Sequence, residues 1–173
     1  MRKFYKGYFE QSATANVDIA HTSESKAFLY IKDIYNPDEF DKAIRNLDKN
    51  ICFLLENPST KGRSANRNKI DYIYGRFDIV GLTESGDSAT IEAMQDQCED
   101  IANEFLAKMS EQFLEGGHIT VDNTISPKVF FPEQETTIDP IGPISTNYWG
   151  VSVGFYWKVQ GKGRPTTDKW VNP

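Results

Sequence analysis

The sequence predicts an α+β fold, in which a mixed, mainly antiparallel sheet carries a long amphipathic helix and shorter helices packed on it. Three segments lead to this prediction: an alternating apolar strand over 150–159, a continuous apolar run over 51–56 and a helical apolar repeat over 88–115. With 173 residues, the chain is long enough for one hydrophobic core. We therefore expect a single α+β domain over 1–160, followed by a polar C-terminal tail over 161–173.

The first third of the chain predicts two helices and two strands. Residues 3–16 place their aromatic side chains on one helical face, which is typical of a short amphipathic helix. Residues 27–31 favour a short strand. A second helix over 37–48 begins with a proline that suits the first turn. The apolar run 51–56 indicates a strand that is buried on both faces.

A polar and basic segment follows over 59–69. It has no aliphatic side chain larger than Ala65, so we expect a mobile loop between strands. The simplest interpretation of its charges is a solvated loop without a functional contact. The functional interpretation is contact with an acidic surface of a neighbouring subunit, or with DNA passing nearby. The candidate contact residues in this segment are Lys61, Arg63, Arg67 and Lys69.

Residues 70–82 predict a long strand with large side chains on both faces. The two faces carry Ile73, Phe77 and Ile79 on one side and Tyr72, Tyr74 and Val80 on the other. Because neither face is polar throughout, we expect this strand to be central in the sheet or packed at an interface.

Residues 88–115 predict the clearest helix. Its apolar side chains recur at steps of three and four residues: Ile91, Met94, Cys98, Ile101, Ala102, Phe105, Met109 and Phe113. Acidic side chains cover the remaining surface, and Gly116 with Gly117 ends the helix. Two shorter strands are expected over 119–121 and 129–131.

The segment 138–159 combines a stiff turn with an alternating strand. Two prolines and a glycine restrict the turn over 138–144. In the strand that follows, one face carries Val151, Val153, Phe155, Trp157 and Val159. We expect that face to fill the core, and the opposite face around Tyr156, together with the turn, to contact the next subunit.

Composition and charge argue against several classes of protein. A formal net charge of −6 disfavours broad nucleic-acid binding, which needs clustered Lys and Arg. Aromatic residues make up 13% of the chain, a share that sheet proteins and interface proteins both favour. The basic N-terminus lacks the apolar core of a signal peptide, and no run approaches the ~18 apolar residues of a membrane span. We expect synthesis in the cytoplasm and no membrane partner.

No residue pattern in the sequence predicts catalysis. The acidic residues of 88–115 are typical of a solvated helix face. His21 and His118 lack the spacing of metal ligands. Cys52 and Cys98 lie in apolar stretches, as buried reduced thiols do. We therefore expect no enzyme activity, and no catalytic, cofactor-binding or metal-binding residue.

The order of these elements resembles that of small virion proteins of tailed bacteriophages and prophages, of the neck, tail-terminator or head–tail connector kind. The resemblance rests on the strand 51–56, the loop 59–69, the strand 72–80, the helix 91–113, and Ile141-Gly142-Pro143 followed by Trp149-Gly150-Val151-Ser152-Val153. It implies a ring of several copies around a DNA channel, contacts with neighbouring neck or tail proteins, DNA passage without sequence-specific binding, location in the virion, and no catalysis.

Two further expectations concern aromatic residues. Trp170 stands in the polar tail, where it either docks on its own domain or anchors a neighbour. The alternative function is a small ligand-binding or enzymatic α+β domain, because several aromatic residues could line a pocket. These residues are Tyr72, Tyr74, Tyr148, Trp149, Tyr156 and Trp157. Their plainer interpretation is core and edge-strand packing.

Overall fold

The computed structural model describes residues 1–31, 44–65, 68–84, 86–145 and 147–160. It confirms an α+β fold with a mixed sheet. Most of the predicted helix over 37–48, and the features expected at Arg67 and in the tail with Trp170, lie outside the described residues.

Two predicted helices are present in the described residues. Helix α1 spans Arg2–Ala15 and helix α2 spans Ser88–Phe113. Asp87 caps α2, because its carboxylate accepts a hydrogen bond of 3.0 Å from the backbone N–H of Thr90. Beyond the other end of α2, Gly116 has a φ of +87°, a conformation that favours glycine and that turns the chain back toward the sheet.

The described strands form one large sheet and one small hairpin. The strands are β1 (Phe28–Ile31), β2 (Ile51–Glu56), β3 (Ser59–Ala65), β4 (Asn68–Leu82), β5 (Thr120–Val121), β6 (Thr124–Ile125), β7 (Val129–Phe130), β8 (Thr137–Ile144) and β9 (Tyr148–Gln160). The large sheet has the order β1-β2-β4-β9-β7, and β5 pairs with β6. The β1–β2 pair is parallel and the other described pairs are antiparallel.

The two long strands β4 and β9 are the centre of the sheet. They pair from Ile70↔Gln160 to Leu82↔Tyr148. Each long strand has two shorter strands along its outer side, one after the other. On β4 these are β2 and β3, and on β9 they are β8 and β7.

One face of the sheet is covered by α1 and α2, and we call it the inner face. The predicted core residues of β9 are all buried there, as are Ile73, Phe77 and Ile79 of β4. Trp157 and Phe9 stack at 5.7 Å between ring centroids, so α1 is fixed to the sheet through aromatic contacts. The prediction that this face of β9 fills the core is therefore confirmed, and β4 is central in the sheet, which was one of the two expectations for it.

The opposite face, the outer face, carries a smaller apolar cluster at one end. Its buried members are Ile31, Ile44, Cys52, Leu54 and Val80. Cys98 belongs to the inner core instead, so the two reduced thiols lie on opposite faces of the sheet, both buried as predicted.

The prediction of a mobile loop over 59–69 was wrong. Residues Ser59–Ala65 form strand β3, which pairs with the first half of β4 in a hairpin. The prediction failed because strand pairing uses backbone N–H and C=O groups, which polar residues supply as well as apolar ones. Lys61 lies on this strand at the edge of the sheet, where a charged side chain discourages uncontrolled pairing.

The prediction of a stiff turn over 138–144 was also wrong. Residues Thr137–Ile144 form strand β8, which pairs with β9 and shifts register between Ile141 and Ile144. Prolines are tolerated on an edge strand, because one side of such a strand needs no partner. Pro140 and Pro143 therefore mark β8 as an edge, with the Gly142–Pro143 peptide bond in cis.

Candidate subunit-contact site on the outer sheet face

The outer face has three zones in succession along β4 and β9. The apolar cluster lies at one end, near Val80 and Tyr148. A charged zone follows around Arg76 and Asp78. An aromatic and cationic zone lies at the far end, around Tyr74. Because residues two apart on a strand share a face, this order follows directly from the even positions of β4.

The charged zone centres on Arg76, whose Nε donates a hydrogen bond of 2.5 Å to Ser152 Oγ. The same nitrogen lies 3.5 Å from Asp78 Oδ1 and 3.6 Å from Glu56 Oε1. One guanidinium thus serves two carboxylates on the surface of the sheet. This arrangement offsets part of the cost of placing acidic side chains against neighbouring apolar residues.

Burial raises the pKa of Asp78, and the Ser152 hydroxyl and the Arg76 guanidinium oppose that shift. Burial also raises the pKa of Glu56, with the nearby charge of Asp78 acting in the same direction and Arg76 against it. The two carboxyl groups therefore hold their protons to higher pH than exposed ones do. This zone is a structural ion cluster, because its groups are already paired with one another.

The far zone is a group of three packed tyrosines. Tyr156 lies 5.7 Å from both Tyr72 and Tyr74, measured between ring centroids. Tyr156 is only 7% exposed, and its hydroxyl donates a hydrogen bond of 3.0 Å to Glu135 Oε1. Burial and this carboxylate raise the pKa of Tyr156 to about 12. Tyr74 is 40% exposed and presents the accessible aromatic surface.

Cations border these rings. Lys61 and Lys158 lie directly across from Tyr72 on its two sides, in the same row of the sheet. Lys158 Nζ also lies 5.7 Å from the ring centroid of Tyr156. Phe130 continues this row and is 36% exposed. We call this surface the tyrosine patch, defined by Lys61, Tyr72, Tyr74, Phe130, Tyr156 and Lys158.

The structure brings only some of the predicted contact residues into the patch. Lys61 and Tyr156 belong to it, although Tyr156 supports the patch from beneath more than it offers surface. Arg63 pairs with Ile70 and Lys69 pairs with Ser64, near the tip of the β3–β4 hairpin. Arg67 and Trp170, the other two, lie outside the described residues.

Sequence reasoning missed Phe130 and its neighbour Lys128, whose Nζ lies 5.0 Å from the centroid of that ring. Both residues come from the short strand β7 and the segment before it, and nothing local in the sequence places β7 beside β9. Sequence reasoning also missed the charged zone. Arg76 and Asp78 occupy alternate positions of a predicted central strand, and that alternation was a usable signal.

The six aromatic residues proposed to line a pocket occupy different places. Trp157 faces the inner core, opposite to its neighbour Tyr156. Tyr148 packs against the apolar cluster at the other end of the outer face. Gly142 lies so close to the Trp149 ring that a Cβ at that glycine would be 2.6 Å from Trp149 Cε3. They therefore do not line a common site.

A separate groove runs between α1 and α2, with a volume of about 470 Å³. Lys108, Gln112 and His118 are among its lining residues. The buried hydroxyls of Tyr8 and Ser12 lie on its wall, and neither has a hydrogen-bond partner of good geometry among the described residues. Burial raises the pKa of Tyr8, and the neighbouring Ser12 opposes that shift.

Among the described residues, no group of three or more His, Cys, Asp or Glu side chains is placed to hold a metal ion. No helix within the described part of the chain is long and apolar enough to cross a membrane. Comparison of the chain with protein-family models, with curated proteins and with solved structures gives no match.

Proposed function

We propose that this protein is a non-enzymatic structural subunit of a tailed-bacteriophage virion, forming part of a neck, tail-terminator or head–tail connector ring. The tyrosine patch carries the proposal, because it is an accessible aromatic surface on the sheet face that α1 and α2 leave free. Interfaces favour exposed tyrosines over charged residues at their centre. The order of elements predicted from the sequence, which resembles that of such virion proteins, supports the same function, although the predicted loop over 59–69 is strand β3 as far as Ala65.

The proposal includes the partners that such a ring needs. These are further copies of this chain, neighbouring neck or tail proteins, and DNA that passes without sequence-specific contacts. The protein is made in the host cytoplasm and functions in the virion, with no membrane partner, cofactor or metal. A long inter-strand ladder and an aromatic core suit this role, because they give a subunit a rigid body.

Purified protein and purified particles test the proposal together. Mass photometry of the protein alone should show one closed oligomer, and mass spectrometry of gradient-purified particles, produced with the neighbouring genes, should find the chain at a fixed copy number. A strict monomer that never sediments with particles would contradict the proposal.

Truncation tests the proposed role of Trp170. Removing residues 161–173 should leave the melting temperature unchanged and weaken assembly. If the indole side chain of Trp170 is the anchor, Trp170→Ala should weaken assembly to the same extent. Loss of folding on truncation would show that the tail belongs to the domain instead.

The second candidate function is a ligand-binding or enzymatic domain, and the groove between α1 and α2 favours it. The buried hydroxyls of Tyr8 and Ser12, which have no hydrogen-bond partner of good geometry among the described residues, and the nearby Lys108 are groups that a polar small molecule could satisfy. A thermal-shift screen of small anions and metabolites tests this candidate. A ligand whose stabilising effect is lost in both Ser12→Ala and Tyr8→Phe would favour it, whereas the absence of any stabilising compound would count against it.

A further inference from the structure

We infer that the ring is built head to tail, with the tyrosine patch of one copy docked on the outward face of helix α2 in the next copy. This inference rests on the proposed ring function and names the two surfaces that meet. The outward face of α2 carries an acidic stripe, defined by Glu92, Asp96, Glu99, Asp100, Glu104 and Glu111.

The two surfaces lie on opposite sides of the molecule. Helix α2 packs on the inner face through buried side chains such as Ile101, Phe105 and Met109. Its acidic stripe consists of exposed residues and therefore points away from the sheet. The tyrosine patch lies on the outer face, beyond the other side of the same sheet. One copy can thus present its stripe to a neighbour while it presents its patch to another.

The charges of the two surfaces are complementary. Within Ser88–Phe113 the six acidic residues of the stripe are opposed by Lys108 alone, so the helix has a net charge of −5. The patch presents Lys61 and Lys158, with Lys128 next to Phe130. Opposite charges a few ångströms apart across an interface attract and set the docking register.

The same charges disfavour a symmetric pair of patches. A two-fold dimer through the patch would bring the lysines of one copy against those of the other, and like charges that face each other across an interface repel. Docking two different surfaces avoids this repulsion. Such heterologous contacts generate a ring when the rotation between copies closes.

The patch also has the composition of an interface core. Tyr74 and Phe130 provide exposed aromatic area, and Lys61 and Lys158 stand beside them as a polar rim. A second copy covers this area with a helix, as α1 and α2 cover the inner face. Single-stranded DNA stacked on the tyrosines is the competing occupant, since aromatic side chains beside lysines also suit bases and phosphates.

A charge-swap experiment tests the pairing. The patch variant carries Lys61→Glu with Lys158→Glu, and the stripe variant carries Asp96→Lys with Glu99→Lys, all in the full-length chain. Each variant alone should need about 100-fold or more higher concentration to assemble, because the reversed side chains then face like charges at the centre of every contact. Circular dichroism and melting temperature confirm that each variant is folded.

Mixing the two variants gives the decisive result. The patch variant then has two acidic surfaces, and the stripe variant has a basic patch and two lysines at the centre of its stripe. An equimolar mixture should therefore form alternating oligomers, in which each reversed surface meets a surface of opposite charge at the centre of the contact. A chain with all four substitutions should assemble by itself. Raising the salt concentration should weaken wild-type assembly. The charge-neutralising substitutions Asp96→Asn and Glu99→Gln serve as the matched control. They should weaken assembly less than the charge reversals do.

Several outcomes would overturn the inference. These are a wild-type monomer, a patch variant that assembles like the wild type, or two single variants whose mixture stays monomeric. Loss of binding to an oligothymidine probe in the patch variant, with the oligomer intact, would assign the patch to DNA. If the swap succeeds but the chain is absent from virions, the virion function fails and the head-to-tail contact stands. If virions contain the chain and the swap fails, only the contact is wrong.

Discussion

The two faces of the sheet are built from the same pair of strands and differ in what covers them. On the inner face, Trp157 is completely buried and contacts aromatic rings from both helices. On the outer face, the adjacent residue Tyr156 contacts two other tyrosines near an accessible surface. Because neighbours along a strand point to opposite sides, a single position separates a core residue from a residue of the proposed interface. Under the proposed function, stability and assembly are divided between the two faces.

Removing the ring of Trp157 should have the largest effect. We expect Trp157→Ala to reduce the free energy of unfolding by about 3–5 kcal/mol, because it leaves a cavity in the inner core. Tyr74→Ala, on the outer face, should cost at most about 1 kcal/mol. Urea denaturation measures both values. If Trp157→Ala does not fold, Trp157→Phe, which should be less destabilising, takes its place. Equal losses of unfolding free energy at Trp157 and Tyr74 would contradict the difference between the two faces.

A smaller effect is expected from two glycines on the outer face of β9. A Cβ at Gly150 would overlap the backbone carbonyl of Ile79, so Gly150→Ala should destabilise by about 1–3 kcal/mol through overpacking. At Gly154 the nearest atom is the end of a side chain, Thr137 Oγ1 at 2.8 Å, which can turn aside. Gly154→Ala should therefore be milder. Thermal melts of the two variants check this order. The reverse order would contradict the close approach of Gly150 in β9 to the backbone of Ile79 in β4.

The two thiols report on the two faces separately. Burial raises the pKa of Cys52 and of Cys98 to about 12, so neither should react with a thiol reagent at pH 8 in the folded protein. In rising urea, Cys52 should react before Cys98, because the outer apolar cluster is smaller than the inner core. Cys52→Ala and Cys98→Ala assign the signals. Simultaneous labelling would mean that both faces open in one step.

The smallest expected effect concerns the charged zone. The pKa of Asp78 is raised in the folded state, so the folded protein binds this proton more tightly than the unfolded chain does. Stability contributed by Asp78 should therefore fall as pH rises from the unfolded pKa, near 3.8, through the folded pKa, and stay constant above it. Relative to Asp78→Asn, the wild type should gain stability as the pH is lowered through that window. Urea titrations of both proteins at several pH values would show a constant difference if the shift were absent.

The sequence predicted the elements whose periodicity reflects burial. The strand pattern around Phe77 and the helix containing Phe105 were confirmed, because a residue facing a core must be apolar whatever its partner is. Strand β3 was missed because its pairing depends on backbone groups alone. Strand β8 was missed because prolines at an edge resemble prolines in a turn.

The candidate site was harder to predict than the fold. Tyr72, Tyr74 and Tyr156 were grouped correctly as aromatic residues, but only the register between β4 and β9 shows that they share one face. Phe130 joins them from a strand of two residues that has no pattern of its own. Contacts between distant segments decide the site, and one sequence without its partners does not specify them.

The packing of the first helix, α1, against the last strand, β9, also has a consequence for how the protein folds. Tyr5 and Phe9 of α1 meet Phe155 and Trp157 of β9, so contacts across almost the whole described chain must form before the inner core closes. Such non-local contacts slow folding, because the chain must lose the entropy of a long loop before these contacts can stabilise it. During translation, the aromatic face of α1 can meet Phe53 and Phe77 early, but it lacks its contacts with Phe155 and Trp157 until β9 has left the ribosome. We therefore expect the newly made chain to depend on chaperones until β9 is in place.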